Sequence, residues 1–258
     1  VNTSTAVTAL ACLVGLIIGS FLTVVTARVP EGKSIVAPSS RCPKCSTPIR
    51  AIDNIPVFSF VVRRGRCRAC GEPISLRYPA LEVTTAVLFG AVADRAPDRW
   101  AIPALCALVA GLISLTVIDL DHQRLPTPIV FVTGATSGAL LVIASIELHD
   151  SAALVHGVIA GAVAFAVFAG IFYAVPHGMG FGDVRLAGLC GAVLGWIGYR
   201  ITAVGFMMSF VTAGIFGVAL LALGRAGRKT RVPFGPFLAL GTVIAILVGA
   251  PLARVWLG

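Results

Sequence analysis

Apolar residues gather into eight stretches, roughly 6–27, 78–93, 100–118, 128–146, 152–175, 184–198, 201–223 and 233–250, with polar residues filling the intervals. Most approach the ~20 residues that a helix rising 1.5 Å per residue needs to cross ~30 Å of hydrocarbon. The pattern predicts an all-α polytopic membrane protein of about eight transmembrane helices. The second and sixth stretches are short, and each abuts a polar motif, where a helix can start within protein rather than lipid. The first has no Lys or Arg ahead of it and outruns the ~7–15 residues of a signal-peptide core, so a retained helix is expected. The one long polar interval divides the chain into a first helix (1–27), an insert (28–77) and a helical core (78–258).

Composition agrees: 57% of residues are hydrophobic and 12% charged, with a mean hydropathy of +0.96, against about 25% charged in soluble domains. The charge that exists is placed unevenly. Ten of the twenty Lys and Arg fall between Arg28 and Arg77. With eight spans, one side of the bilayer receives sixteen basic residues and the other four (Arg95, Arg99, Arg200 and Arg254). The positive-inside rule then puts the insert in the cytoplasm and both termini outside. The net charge of +9 fits loops beside anionic headgroups, with no nucleic acid as partner. The cluster Arg225, Arg228, Lys229 and Arg231 reads as a topology anchor.

The insert carries Cys42-Pro-Lys-Cys45 and Cys67-Arg-Ala-Cys70, 21 residues apart. Two such knuckles are the sequence form of a four-thiolate zinc site, each supplying one edge of a tetrahedron. Disulfides are the rival reading, disfavoured by the reducing cytoplasm. Four cysteines leave no open position, so the zinc is expected to be structural and to stabilise a segment too small for much of a core. Cys12, Cys106 and Cys190 lie in apolar stretches and read as packing residues.

Charges at the edge of a span are expensive and therefore informative. Asp119 closes the third span, followed by Leu-Asp121-His122-Gln-Arg-Leu-Pro126; Asp183 opens the sixth within Gly178-Met-Gly180-Phe-Gly182-Asp183-Val-Arg185. Both fall on the cytoplasmic edge, 64 residues apart in sequence. Two carboxyls brought together share a proton, which suits them to general acid and base work on a peptide bond. The glycines before Asp183 are expected to leave room for an extended backbone. The rival reading makes both residues interfacial carboxylates, with Asp183 favoured by a helix N-terminus.

These strings, in this order, resemble the type IV prepilin peptidase family over nearly the whole chain. Gly19-Ser20-Phe21-Leu22 through Arg28-Val29-Pro30 is similar to the end of its first helix. Arg41-Cys42-Pro-Lys-Cys45, Asp53-Asn54-Ile55-Pro56-Val57, Gly65-Arg66-Cys67-Arg-Ala-Cys70 and Ser75-Leu-Arg77-Tyr78-Pro79-Ala-Leu-Glu82 resemble its insert and second-helix entry. Ile118-Asp119 with Leu125-Pro126, the Gly178–Val184 string, and Pro233-Phe-Gly-Pro-Phe-Leu-Ala-Leu-Gly241 resemble its two aspartate motifs and its last helix. The resemblance implies a bacterial inner-membrane enzyme whose aspartates, Asp119 and Asp183, cut prepilins or pseudopilins on the cytoplasmic side. It also implies S-adenosylmethionine-dependent methylation of the new N-terminus, associated with members that have the insert. Thr23, Ala27, Thr127 and Arg185 depart from the family's usual residues, and Asp121 stands where the family varies.

Glu82 is one of the few charges in any span, lining a reaction chamber or solvated at the interface. His122 and His177 flank the aspartate motifs and read as loop residues; His149 and His156 carry no role. Gly157, Gly161, Gly188, Gly191 and Gly195 read as close helix packing. The rival functions are a Gly-x-Gly-Asp intramembrane peptidase without methylation and, in another class, a transporter or zinc-sensing scaffold.

Overall fold

The computed structural model describes residues 5–175, 179–224 and 233–256; His177, Gly178 and the basic cluster at 225–231 lie outside them. Among the described residues there are nine α-helices: α1 (Thr5–Arg28), α2 (Phe58–Val62), α3 (Arg77–Arg95), α4 (Ile102–His122), α5 (Thr127–Leu148), α6 (Ser151–Ala174), α7 (Phe181–Ile197), α8 (Tyr199–Ala222) and α9 (Gly235–Trp256). Helices α1, α4, α5, α6, α8 and α9 are long and apolar enough to cross a membrane, which makes this a multi-pass membrane protein. The expected count of eight is not reached on that criterion. Helix α3 carries Arg77, Glu82, Asp94 and Arg95. Helix α7 has 17 residues, about 25 Å of helix.

The chain forms two compact units, one ending at Asp94 and the other beginning at Arg95. The sequence marks boundaries at 27 and 77; packing gathers α1, the insert and α3 into the first unit. There α1 and α3 approach to backbone distance. A Cβ added at Gly15 would lie 2.6 Å from the Ala86 Cα, and one at Gly19 2.7 Å from the Glu82 Cα.

The insert between them is a doublet. Arg41-Cys-Pro-Lys-Cys-Ser-Thr-Pro-Ile49 and Arg66-Cys-Arg-Ala-Cys-Gly-Glu-Pro-Ile74 fold the same way. Isolated bridges pair Arg41 with Pro48 and Arg66 with Pro73. The N–H of Cys42 donates to Thr47 O at 3.0 Å and that of Cys67 to Glu72 O at 2.8 Å. Ser46 (φ 57) and Gly71 (φ 72) occupy the same left-handed position in their knuckles. Between the knuckles, the Ser59 hydroxyl donates to Ile52 O at 2.9 Å and accepts the Ile55 N–H at 3.1 Å. Asp53 pairs with Arg63 and, at 3.7 Å, with Arg68 of the second knuckle.

The second unit is the bundle α4–α9. Leu105, Leu108, Leu112, Leu115 and Ile118 bury one stripe of α4, at the i, i+3, i+7 spacing that aligns residues on a helix face. Small residues seat α6 on α7 as expected. An added Cβ at Gly157 would lie 2.8 Å from Ala192 O, one at Gly161 2.8 Å from the Ala192 Cβ, and one at Gly191 2.7 Å from the Ala164 Cβ. Such contacts are how helices associate where lipid removes any hydrophobic drive. Trp196 Nε1 donates to the Ser145 hydroxyl at 2.7 Å, tying α7 to α5. Val155, Val158, Val163 and Val167 on α6, and Ile215 and Val218 on α8, are exposed. An apolar exterior of this kind is a lipid-facing one.

Candidate active site

The last turn of α4, the first turn of α7 and the first residue of α9 meet at one end of the second unit. Asp119 is 5% exposed and Asp183 8%, while Asp121 and His122, two and three residues on, are exposed. Burying one aspartate and exposing its neighbour two residues away is what a helix period does at its end. Gln123, in the left-handed conformation (φ 50), terminates α4 by donating its N–H to Asp119 O at 2.9 Å.

Each carboxyl sits on a helix N-terminus, where backbone N–H groups lack partners. Asp183 Oδ2 accepts the Gly180 N–H at 3.1 Å, closing the first turn of its own helix. Its Oδ1 is buried without a hydrogen-bond partner. Asp119 takes the backbone N–H of Gly235, which opens α9. A Cβ added at Gly235 would fall 2.6 Å from Asp119 Oδ2. The two carboxyls are near enough to interact electrostatically. The sequence places them 64 residues apart, and the fold brings them to one place.

Leu125 is the wedge between these elements. Added Cβ atoms at Gly182 and Gly235 would meet it at 2.8 Å and 3.3 Å. The glycines before Asp183 therefore do not all open onto free space: the room at Gly182 is filled by Leu125. Arg185 donates to the Thr127 hydroxyl and lies over the Phe181 ring at 4.8 Å, binding the start of α7 to the start of α5. Gly235, Leu125 and the Arg185–Thr127 pair are site residues to which the sequence alone gave no role. Their only signal was membership in short strings around the aspartates and at the head of the last helix.

In the first unit, the Sγ atoms of Cys42, Cys45, Cys67 and Cys70 all lie within 4.8 Å of one another. Cys42 and Cys70 are 3.9 Å apart and Cys45 and Cys67 4.0 Å, and all four are free thiols. A tetrahedral ion with ~2.3 Å Zn–S bonds sets its sulfurs ~3.8 Å apart, so the spacing fits. The donor chemistry fits too. The Thr47 hydroxyl, 3.3 Å away, and then the Thr47 backbone lower Cys45 to about 6. The backbone N–H groups of Cys70 and then Ala69 lower Cys67. The Glu72 backbone pulls Cys70 down, yet burial and the adjoining sulfurs leave it raised to about 12. Four sulfurs this close do not all ionise without a cation among them. Cys106 and Cys190 are buried and Cys12 half-buried.

A model of the bacterial peptidase A24 N-terminal domain matches residues 13–96, and one of the type IV leader peptidase family matches residues 106–223. A prepilin leader peptidase/N-methyltransferase of Pseudomonas aeruginosa is 34% identical over 273 residues, covering 95% of this chain and 91% of that protein. Its namesake in Bacillus subtilis is 32% identical over 236 residues, covering 91% and 92%. That of Myxococcus xanthus is 38% identical over 221 residues, covering 85% and 65%. No solved structure matches the chain.

Proposed function

Because the chain belongs to the type IV leader peptidase family, we propose that it is an aspartic endopeptidase of the bacterial inner membrane. It removes the leader from prepilins or pseudopilins and N-methylates the new terminus. The observation that carries this reading is the pair Asp119 and Asp183, buried together at one end of the helical bundle. Two adjacent carboxyls do not both ionise; one proton stays between them. The protonated member donates to the scissile carbonyl oxygen while the ionised member takes a proton from the attacking water. Collapse of the tetrahedral intermediate returns a proton to the leaving amine. The buried, unpartnered Oδ1 of Asp183 is an acceptor that gains its partner in that sequence, since such groups are costly left alone. The glycine at 235 lets a main-chain N–H hold Asp119 from the side, orienting it without a side chain in the way. Because the pair titrates as a unit, the roles of acid and base belong to both.

With α3 and α7 counted as spans, the positive-inside rule puts the insert and the aspartate-bearing ends of α4 and α7 in the cytoplasm and both termini outside. Cys42, Cys45, Cys67 and Cys70 hold a structural zinc ion, whose contribution is folding free energy for the insert. Methylation draws on a sulfonium donor, S-adenosylmethionine. Purified chain in detergent, given a prepilin and S-adenosylmethionine, tests both activities by mass spectrometry of the product. The expected mature chain begins just after the leader and is heavier by one methyl group. A prepilin left intact removes the peptidase reading, and a cleaved but unmethylated product removes the methyltransferase alone.

A further inference from the structure

Three carboxylates are buried among the described residues. Asp119 and Asp183 are two of them, and Glu82 is the third. Within the first unit, Glu31, Asp53 and Glu72 each pair with a Lys or Arg. Glu82, 8% exposed on α3, has no cation within ion-pair distance among the described residues. What it has is one backbone donor: Val57 N–H at 2.7 Å. A carboxylate buried in a membrane protein without a counter-charge is costly and marks a functional site.

Its surroundings are built around it. Val57, a β-branched residue, is held at φ 59, ψ −47, a strained conformation that persists only where surrounding structure enforces it. That geometry aims its N–H at Glu82. From the other side α1 comes within backbone distance, since a Cβ at Gly19 would sit 2.7 Å from the Glu82 Cα and 3.1 Å from Thr85 Oγ1. Gly19, the 53–57 string and Glu82 belong to three motifs that neither cleavage nor zinc binding explains, and they converge on one spot. The spot is also tied to the metal cluster. Asp53, four residues before Val57, pairs with Arg68, the residue following Cys67 in the second knuckle.

Resting on the methyltransferase reading above, we infer that Glu82 is the cation seat of the methyl-transfer reaction. The chemistry it recognises is an organic cation. The reaction offers two, the sulfonium of the methyl donor and the new N-terminal ammonium of the mature pilin. Either one supplies the counter-charge that the fold withholds, and the Asp53–Arg68 link explains how a distorted metal cluster would reach the seat.

The test uses the full chain carrying Glu82→Gln, whose amide oxygen still accepts the Val57 N–H, so that charge is removed and the hydrogen bond kept. Loss of a buried charge partner predicts a fall of about thirtyfold or more in methylation of cleaved pilin, with zinc content at wild-type level. Glu82→Asp, which keeps the charge, restores part of the rate. Binding of S-adenosylmethionine and of its neutral thioether product, S-adenosylhomocysteine, separates the two sources. A sulfonium seat weakens only the first ligand in Glu82→Gln. An ammonium seat leaves both affinities unchanged and lowers the turnover of the mature peptide. Wild-type methylation by Glu82→Gln overturns the inference. So does loss of zinc or of cleavage together with methylation, which would make Glu82 a structural residue. A wild-type chain that cleaves without methylating and binds no S-adenosylmethionine removes the methyltransferase reading itself, and the seat with it.

Discussion

A methyl group at position 235 has nowhere to go, because the Asp119 carboxyl already occupies the space an added Cβ would need, at 2.6 Å. Gly235→Ala is therefore expected to push Asp119 off its backbone donor. Overpacking of this kind costs about 1–3 kcal/mol, so cleavage of prepilin should fall about ten- to a hundredfold. Kinetics on the folded variant, with helicity checked by circular dichroism, measure it. In the insert the sign reverses. Ser46 adopts a left-handed conformation (φ 57) that Gly71 occupies freely in the twin knuckle. Ser46→Gly should raise the insert's resistance to unfolding by up to about 1 kcal/mol, read from the midpoint of zinc release in denaturant. The two aspartates were legible in the sequence because a charge beside an apolar run stands out. Gly235 was not, since its importance lies in a neighbour more than a hundred residues earlier.

At the level of elements, the long apolar helices were legible directly from the run lengths. The two shorter ones, α3 and α7, were legible as the stretches 78–93 and 184–198, but α3 carries four charges and α7 only 17 residues, so neither meets the length and apolarity of a full span. Seating of α6 on α7 depends on small residues, so Gly161→Leu should separate the helices. It should destabilise the bundle by more than about 1–3 kcal/mol, seen as a lower melting temperature in detergent. The cysteine knuckles were legible from CxxC spacing, whereas the twofold repetition of their nine-residue unit shows clearly only when Cys42–Thr47 and Cys67–Glu72 are seen to make the same hydrogen bond. Metal retention should follow the thiolates. With Cys45 lowered to about 6, its thiolate is present above that pH and is lost as pH falls through it. Zinc content should therefore hold around neutral pH and fall on acidification, since protons and metal compete for the same sulfurs. Elemental analysis after dialysis across pH reads it; zinc retained at strongly acid pH would contradict a thiolate site.

For the whole molecule, the two compact units divide at 94/95, close to where the two family models part, at 96 and 106. The structural division puts the aspartates in the second unit and the cysteines and Glu82 in the first. The double substitution Cys42→Ser with Cys45→Ser is expected to release zinc and to impair methylation more than cleavage, with both products counted in one mass spectrum. The central claim is that Asp119 and Asp183 act as one catalytic unit, and a double-mutant cycle on prepilin cleavage tests it most directly. Asp119→Asn and Asp183→Asn should each reduce cleavage to background in a folded, membrane-inserted chain, and the double variant should be no worse than either single one, as for residues that act together. Substantial cleavage by either single variant would contradict the account.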